Sequence, residues 1–150
     1  MDAVTYPDEI VADYIDDTFI PLRISSDTQP YADDFNVKWT PRIIILDPTG
    51  AVHQSNVGFF PPEEFIPSLE IGLAKVDFNQ DCLEECRQHL NRILASHPQS
   101  FSAPEAVYLK GVVKYKMIGD AKFLKEAYYQ LQERYPASEW ARRAWPYRLL

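Results

Sequence analysis

Two cysteines and a histidine fall at Cys82-x-x-x-Cys86-x-x-His89. On a helix these positions lie about one turn apart on one face, and three such side chains could serve as ligands to zinc. A closed structural site needs a fourth ligand, and the nearest further candidates in sequence are Glu85 and His97. The competing reading is packing. Leu83, Cys86, Leu90 and Leu94 make an apolar stripe at helical spacing, in which a free cysteine behaves as a small hydrophobe. The paired Cys-x-x-Cys spacing of zinc ribbons is absent, so the packing reading is preferred, and neither a metal nor a cofactor is expected.

Five lysines, Lys110, Lys114, Lys116, Lys122 and Lys125, gather within a short span. They could receive an acidic partner or peptide, or they could simply be the solvated face of amphipathic helices. Near the C-terminus Trp140, Trp145 and Tyr147 stand among Arg142, Arg143 and Arg148, with Pro146 between them. Aromatic and arginine residues together read as an interface hot spot, but packing against the preceding helices is the preferred use. His53 has no nucleophile near it in sequence and is assigned no role. No P-loop, dinucleotide fingerprint, Ser-His-Asp set or metalloprotease motif occurs. Asp16-Asp17 and Asp33-Asp34 read as helix-end and solubility features.

The elements that would position these groups change character along the chain. Pro7-Asp8-Glu9 opens a helix with acidic residues near its positive end, and Ile10, Val11, Tyr14 and Ile15 form its apolar face. Residues 19–24 alternate weakly between Asp16-Asp17 and Ser25-Ser26 and are expected as a strand. A short helix follows over 29–35, with Tyr31, Ala32 and Phe35 inward. Arg42 to Leu46 is a short β-branched run, hence a buried strand. Asp47-Pro48-Thr49-Gly50 is a turn, Val52 to Val57 the hairpin partner, and Gly58 its close. Pro61-Pro62-Glu63-Glu64 starts a helix that turns Phe65, Ile66, Leu69, Leu73 and Val76 inward. From about residue 79 onward the pattern is helical throughout.

Composition agrees with this division. The chain has 150 residues, 46% hydrophobic and 13% aromatic, enough for one core or two small ones. Its net charge of −7 speaks against nucleic acid as a partner. Residues 1–78 carry fourteen acidic and four basic side chains, a net −10, and residues 79–150 eight and eleven, a net +3. Two units with different surfaces are expected. No apolar leader or membrane-length run occurs, and two cysteines are too few for a secreted disulfide framework. A cytoplasmic location is therefore expected.

An internal echo marks the second unit. Ile93 to Ser100 (ILASHPQS) recurs as Leu131 to Ser138 (LQERYPAS), with an apolar residue five positions before each Pro and a Ser two after. This resembles the tetratricopeptide (TPR) repeat, whose helix pairs end at a Pro. The resemblance places Tyr108 and Tyr115 at the large positions of a first helix, and Leu124, Tyr128 and Leu131 at those of a second. Cys86, Leu90 and Ile93 fall at the second-helix positions of the preceding unit. Gly111 is displaced by one position from the repeat pattern, and the two prolines are 38 residues apart where the repeat expects 34.

The segment Phe35 to Gly50 (FNVKWTPRIIILDPTG) resembles thioredoxin-like proteins at the point where a cis-proline enters the fourth strand and a hairpin leads to the fifth. The resemblance implies a cis Thr40–Pro41 bond and a peptide-binding site at Trp39, Thr40, Pro41 and Gly58. It also implies a Cys-x-x-Cys at the start of the first long helix, and none is present before Cys82. Exchange needs a thiolate at a helix N-terminus and a resolving thiol, so no catalytic residue is expected and the unit is read as redox-inactive.

The expected fold class is thus α/β: an incomplete thioredoxin-like sheet with flanking helices over 1–78, and an all-α TPR-like unit over 79–150. In that family a central strand separates the two strands matched by residues 19–24 and 42–46. Its absence would leave backbone groups unpaired, so non-standard pairing with a homo-oligomer is expected. The expected function is a protein-binding or scaffold module with a protein or peptide partner and no membrane. The alternative is a fragment of a thiol–disulfide oxidoreductase whose Cys-x-x-Cys lies upstream of Met1.

Overall fold

The computed structural model describes all residues, 1–150. It is mixed α/β and mostly helical, with seven α-helices and one two-stranded antiparallel sheet. The chain divides into two compact units, Met1–Ile66 and Pro67–Leu150. The division lies within a helix, upstream of the residue-78 boundary that composition suggested.

In the first unit α1 (Glu9–Thr18) starts at Asp8, whose carboxylate accepts the Val11 N–H at 3.1 Å and satisfies one of the orphan donors of the first turn. Val11 is buried and Tyr14 and Ile15 are half-buried, but Ile10 is exposed, so the apolar face is narrower than expected. Thr5, fully buried, donates its hydroxyl to the Phe60 carbonyl. Tyr6 meets Phe65 edge-on with ring centroids 5.8 Å apart, and Phe60 lies 6.2 Å from the same ring.

The strand expected over 19–24 does not form. These residues are irregular, with Ile20 99% and Leu22 79% exposed. Pro21 interrupts the alternation, fixes φ and removes one ladder donor. The segment therefore has the side chains of a strand without a continuous row of donors. The helix expected over 29–35 shrinks to a single turn, α2 (Tyr31–Asp34), and Tyr31 is exposed.

β1 (Arg42–Leu46) and β2 (Val52–Val57) form the hairpin with the expected bounds. Arg42 faces Val57, Ile43 faces Asn56 and Ile45 faces Gln54, with an irregularity between Ile45 and Leu46. The turn is knotted by Asp47. Its carboxylate accepts the Thr49 N–H at 2.9 Å, the Thr49 hydroxyl at 2.6 Å and the Ala51 N–H at 3.0 Å. Gly50 closes the turn at φ +85°, where a side chain would be strained.

α3 (Pro62–Asn79) begins with Pro at its first position and Glu63 and Glu64 in its first turn, as the helix dipole favours. The second unit takes its remainder from Pro67 and adds α4 (Leu83–Ser96), α5 (Ala103–Ile118), α6 (Lys122–Arg134), α7 (Glu139–Arg143) and a 3₁₀ turn, Trp145–Leu149. Its first core joins Ile71 and Ala74 of α3 to Cys86, Leu90 and Ile93 of α4 and Ala106 and Val113 of α5. Each large side chain of this kind contributes about 1.5–3 kcal/mol on full burial. A second core gathers Val107, Ala127, Leu131, Ala141 and Ala144, roofed by Tyr108, Trp140 and Tyr147.

Two turns in this unit are near copies. α4 ends at His97 (φ −131°, ψ 49°) and α6 at Tyr135 (φ −137°, ψ 48°), each just before a Pro. The Ser100 N–H then donates to the His97 carbonyl at 3.1 Å and the Ser138 N–H to the Tyr135 carbonyl at 3.0 Å. The Tyr135 hydroxyl donates to the Pro98 carbonyl at 2.7 Å, which ties one turn to the other.

Candidate functional site

The four residues expected to bind peptide lie at the open end of the hairpin. The Thr40–Pro41 bond is cis, and so is Gln29–Pro30, which the sequence reading did not anticipate. Pro41 and Gly58 are brought together: the Gly58 N–H donates to the Pro41 carbonyl at 2.9 Å. Gly58 does so at φ +111°, a backbone state in which a side chain is strained. Thr40 is exposed, and Trp39 is 75% exposed.

Arg42 holds the loop in place. Its guanidinium donates to the Asn36 carbonyl and to the Ser55 hydroxyl, each at 2.9 Å, so one side chain joins the loop, β1 and β2. The register also orients the backbone. With Pro41 and Gly58 bonded to each other, antiparallel alternation turns the N–H and C=O groups of Ile43 and Ile45 toward β2 and those of Arg42 and Ile44 away from it. No third strand covers that outer edge. An exposed indole therefore stands beside a row of strand donors and acceptors.

His53, left without a role by the sequence, pairs with Asp47. Its Nε2 is 2.9 Å from the Asp47 carboxylate, and both side chains are largely covered. Asp47 is held well below the usual carboxylate range, first by the Thr49 hydroxyl and then by His53. The pair anchors the far turn of the same hairpin.

The cysteine–histidine set is not assembled. Cys82 is exposed just before α4, while Cys86 is fully buried in the first core. Burial, with Asp77 adding to it, pushes the Cys86 thiol up to about 12, so it is a poor nucleophile. His89 points elsewhere. Its Nδ1 lies against Glu70 and its Nε2 is 3.4 Å from Asp77. Arg92 Nη1 donates to the other Glu70 oxygen at 3.2 Å. Burial raises the Asp77 carboxyl above its ordinary range. No group of three or more His, Cys, Asp or Glu is arranged to hold a metal ion.

This Glu70–His89–Asp77 chain was invisible in the sequence, because Glu70 sits inside an apolar helix and its partners lie on the next one. It joins α3 to α4 through the buried Glu70 carboxylate, which meets His89 and Arg92, while the Asp77 oxygen facing His89 makes no hydrogen bond. The chain is read as a structural clamp.

The lysines separate into two classes. Lys116 pairs with Asp81, Lys122 with Asp120, and Lys125 donates to the Leu150 carbonyl. Lys110 and Lys114 reach no carboxylate and line a groove between α5 and α6. The aromatic tail packs: the Tyr108 ring lies 5.1 Å from Trp140 and 5.6 Å from Tyr147, and the two tyrosine hydroxyls are 2.7 Å apart. Trp145 stays outside that stack, with Arg148 3.7 Å above its ring.

No helix is long and apolar enough to cross a membrane. No family model, curated protein or solved structure matches the chain.

Proposed function

We propose that the chain is a protein-binding module without thiol–disulfide chemistry, which takes an extended peptide along the outer edge of β1. The observation that carries this reading is the row of Arg42 and Ile44 backbone groups that no third strand pairs, a few residues after the exposed Trp39. Strand addition supplies affinity through main-chain hydrogen bonds, and an exposed tryptophan supplies the contact area of a hot spot. Thr40 would begin the pairing, ahead of Pro41, which has no N–H to give.

We read the first unit as an incomplete thioredoxin-like domain and the second as TPR-like. What speaks for the first is the cis Thr40–Pro41 bond at the foot of an antiparallel hairpin closed by Gly58. What speaks for the second is the pair of matching helix-end turns at Pro98 and Pro136. Both cysteines are free, which suits a reducing compartment such as the cytoplasm.

The test is a peptide-array screen followed by amide hydrogen exchange on the strongest binder. In the free protein the Arg42 and Ile44 amides should exchange faster than those of Ile43 and Ile45, and peptide should protect Ile44. Trp39→Ala should weaken binding about tenfold or more. Binding that protects other amides and ignores Trp39 would sink the reading.

A further inference from the structure

The second unit carries its own candidate surface, independent of the hairpin. α5 and α6 approach so closely that a Cβ on Gly111 would lie 2.5 Å from the Ala127 Cβ and 3.0 Å from the Phe123 carbonyl oxygen. Beside that contact runs a shallow groove of about 320 Å³, open mouth included, with Lys110 and Lys114 on one wall and Phe123, Glu126 and Gln130 on the other.

Lys110 and Lys114 are four residues apart and share a helix face, an arrangement that is repulsive for like charges. Both are half-buried, and neither is ion-paired. Lys114 Nζ stands 5.2 Å from the centre of the Phe123 ring, and Lys122 Nζ is 5.0 Å from it. Arg87 of α4 adds a further positive charge near Lys110, although it is itself bonded to Glu84. Burial, then Lys114 and Arg87, lower the Lys110 amine from its ordinary value, as expected of a cation lacking a counter-ion. Glu126, exposed on the opposite wall, is the one acid among the lining residues.

We propose that this groove binds an extended acidic segment of another protein, with carboxylates at alternate positions that meet Lys110 and Lys114. The spacing carries the choice of occupant. Side chains at i and i+4 of a helix have Cβ atoms about 5–6 Å apart, and same-face side chains of an extended peptide repeat every ~6.6 Å. An alternating acidic strand therefore offers one carboxylate to each ammonium, relieves their mutual repulsion and lays its stem on Phe123. The Gln130 amide is placed to donate to the peptide backbone.

The probe is a labelled ten-residue Ser-Glu alternating peptide, with a Ser-Gln peptide of equal length and inorganic polyphosphate as comparisons. At low ionic strength the acidic peptide should bind saturably and shift the Lys110, Lys114 and Gln130 resonances, and the neutral peptide should not. Lys110→Gln and Lys114→Gln should each weaken binding about fivefold or more, while Lys125→Gln, on a lysine tied to the C-terminal carbonyl, should change it less than about twofold. Equal losses from all three variants would reduce the effect to diffuse charge and overturn the proposal. So would polyphosphate binding of equal strength and equal dependence on both lysines. If the free protein sediments as a dimer that Lys110→Gln dissociates, the occupant is a second copy and not another protein.

Discussion

The two units differ in how many of their large apolar side chains reach full burial. In Pro67–Leu150 the large side chains of facing helices close on one another, and Leu90, Ile93 and Leu131 reach full burial. In Met1–Ile66 the residues Ile20, Leu22 and Trp39 are three-quarters or more exposed, and the sheet has only two strands. A helical hairpin satisfies its own backbone and needs neighbours only for its apolar stripe. A strand needs a partner for its backbone as well. The comparison shows why the helices leave few backbone groups to pair, and why an unpaired strand edge lies on the hairpin.

The largest expected effect tests that contrast directly. Leu90→Ala should lower the stability of the second unit by about 2–5 kcal/mol, from lost burial and the cavity left behind. Ile20→Ser, at a side chain 99% exposed, should stay within about 0.5 kcal/mol. Urea denaturation followed by far-UV circular dichroism reads both. If Ile20→Ser costs as much as Leu90→Ala, residues 19–24 are packed in solution and the contrast is broken.

A smaller effect sharpens the comparison within the helical unit, between its two matching turns. The Ser138 hydroxyl accepts the Ala141 N–H at 3.1 Å and caps α7. The Ser100 hydroxyl, at the equivalent place, is buried with no hydrogen-bond partner. Ser138→Ala should therefore cost about 1 kcal/mol. Ser100→Ala should be neutral or stabilising, because it removes a desolvated hydroxyl that gains nothing. Thermal unfolding of the two variants separates these outcomes. Equal losses would mean that the turns also share their caps.

Legibility in the sequence followed the same physics. The bounds of β1 and β2 could be read from β-branching and a turn rich in Asp, Pro and Gly, because both signals are local. The helices from Pro62 onward could be read from periodicity. Residues 19–24 misled: their weak alternation suggested a strand, but Pro21 lacks the N–H a ladder needs and no neighbouring strand pairs with them. Of the site, Pro41 and Gly58 were grouped by resemblance to thioredoxin-like proteins, and the hairpin register is what places them opposite each other. The Glu70–His89–Asp77 chain and the pairing of His53 with Asp47 were not legible, since each depends on which faces two elements turn to one another. The lysine cluster was visible as composition, but its division into paired and unpaired members is a property of packing.

The smallest expected effect lies at the far turn of the hairpin. Asp47 is depressed in the folded chain and returns to an ordinary value, about 3.9, when unfolded. A depressed carboxyl contributes stability that is fully present above the unfolded value and is lost as pH falls through the folded one. The turn should thus stay intact from about pH 6 down through the range where ordinary carboxylates titrate, and loosen only below it. The Thr49 and Ala51 amide shifts report this directly, since both N–H groups donate to Asp47. They should hold steady near pH 4 and move only toward about pH 2, and in Asp47→Ala they should lose that dependence. A midpoint near 4 would mean that Thr49 and His53 do not hold the carboxylate. The hairpin would then owe its register to strand pairing and to the Arg42–Ser55 bond at its other end, with no contribution from the turn.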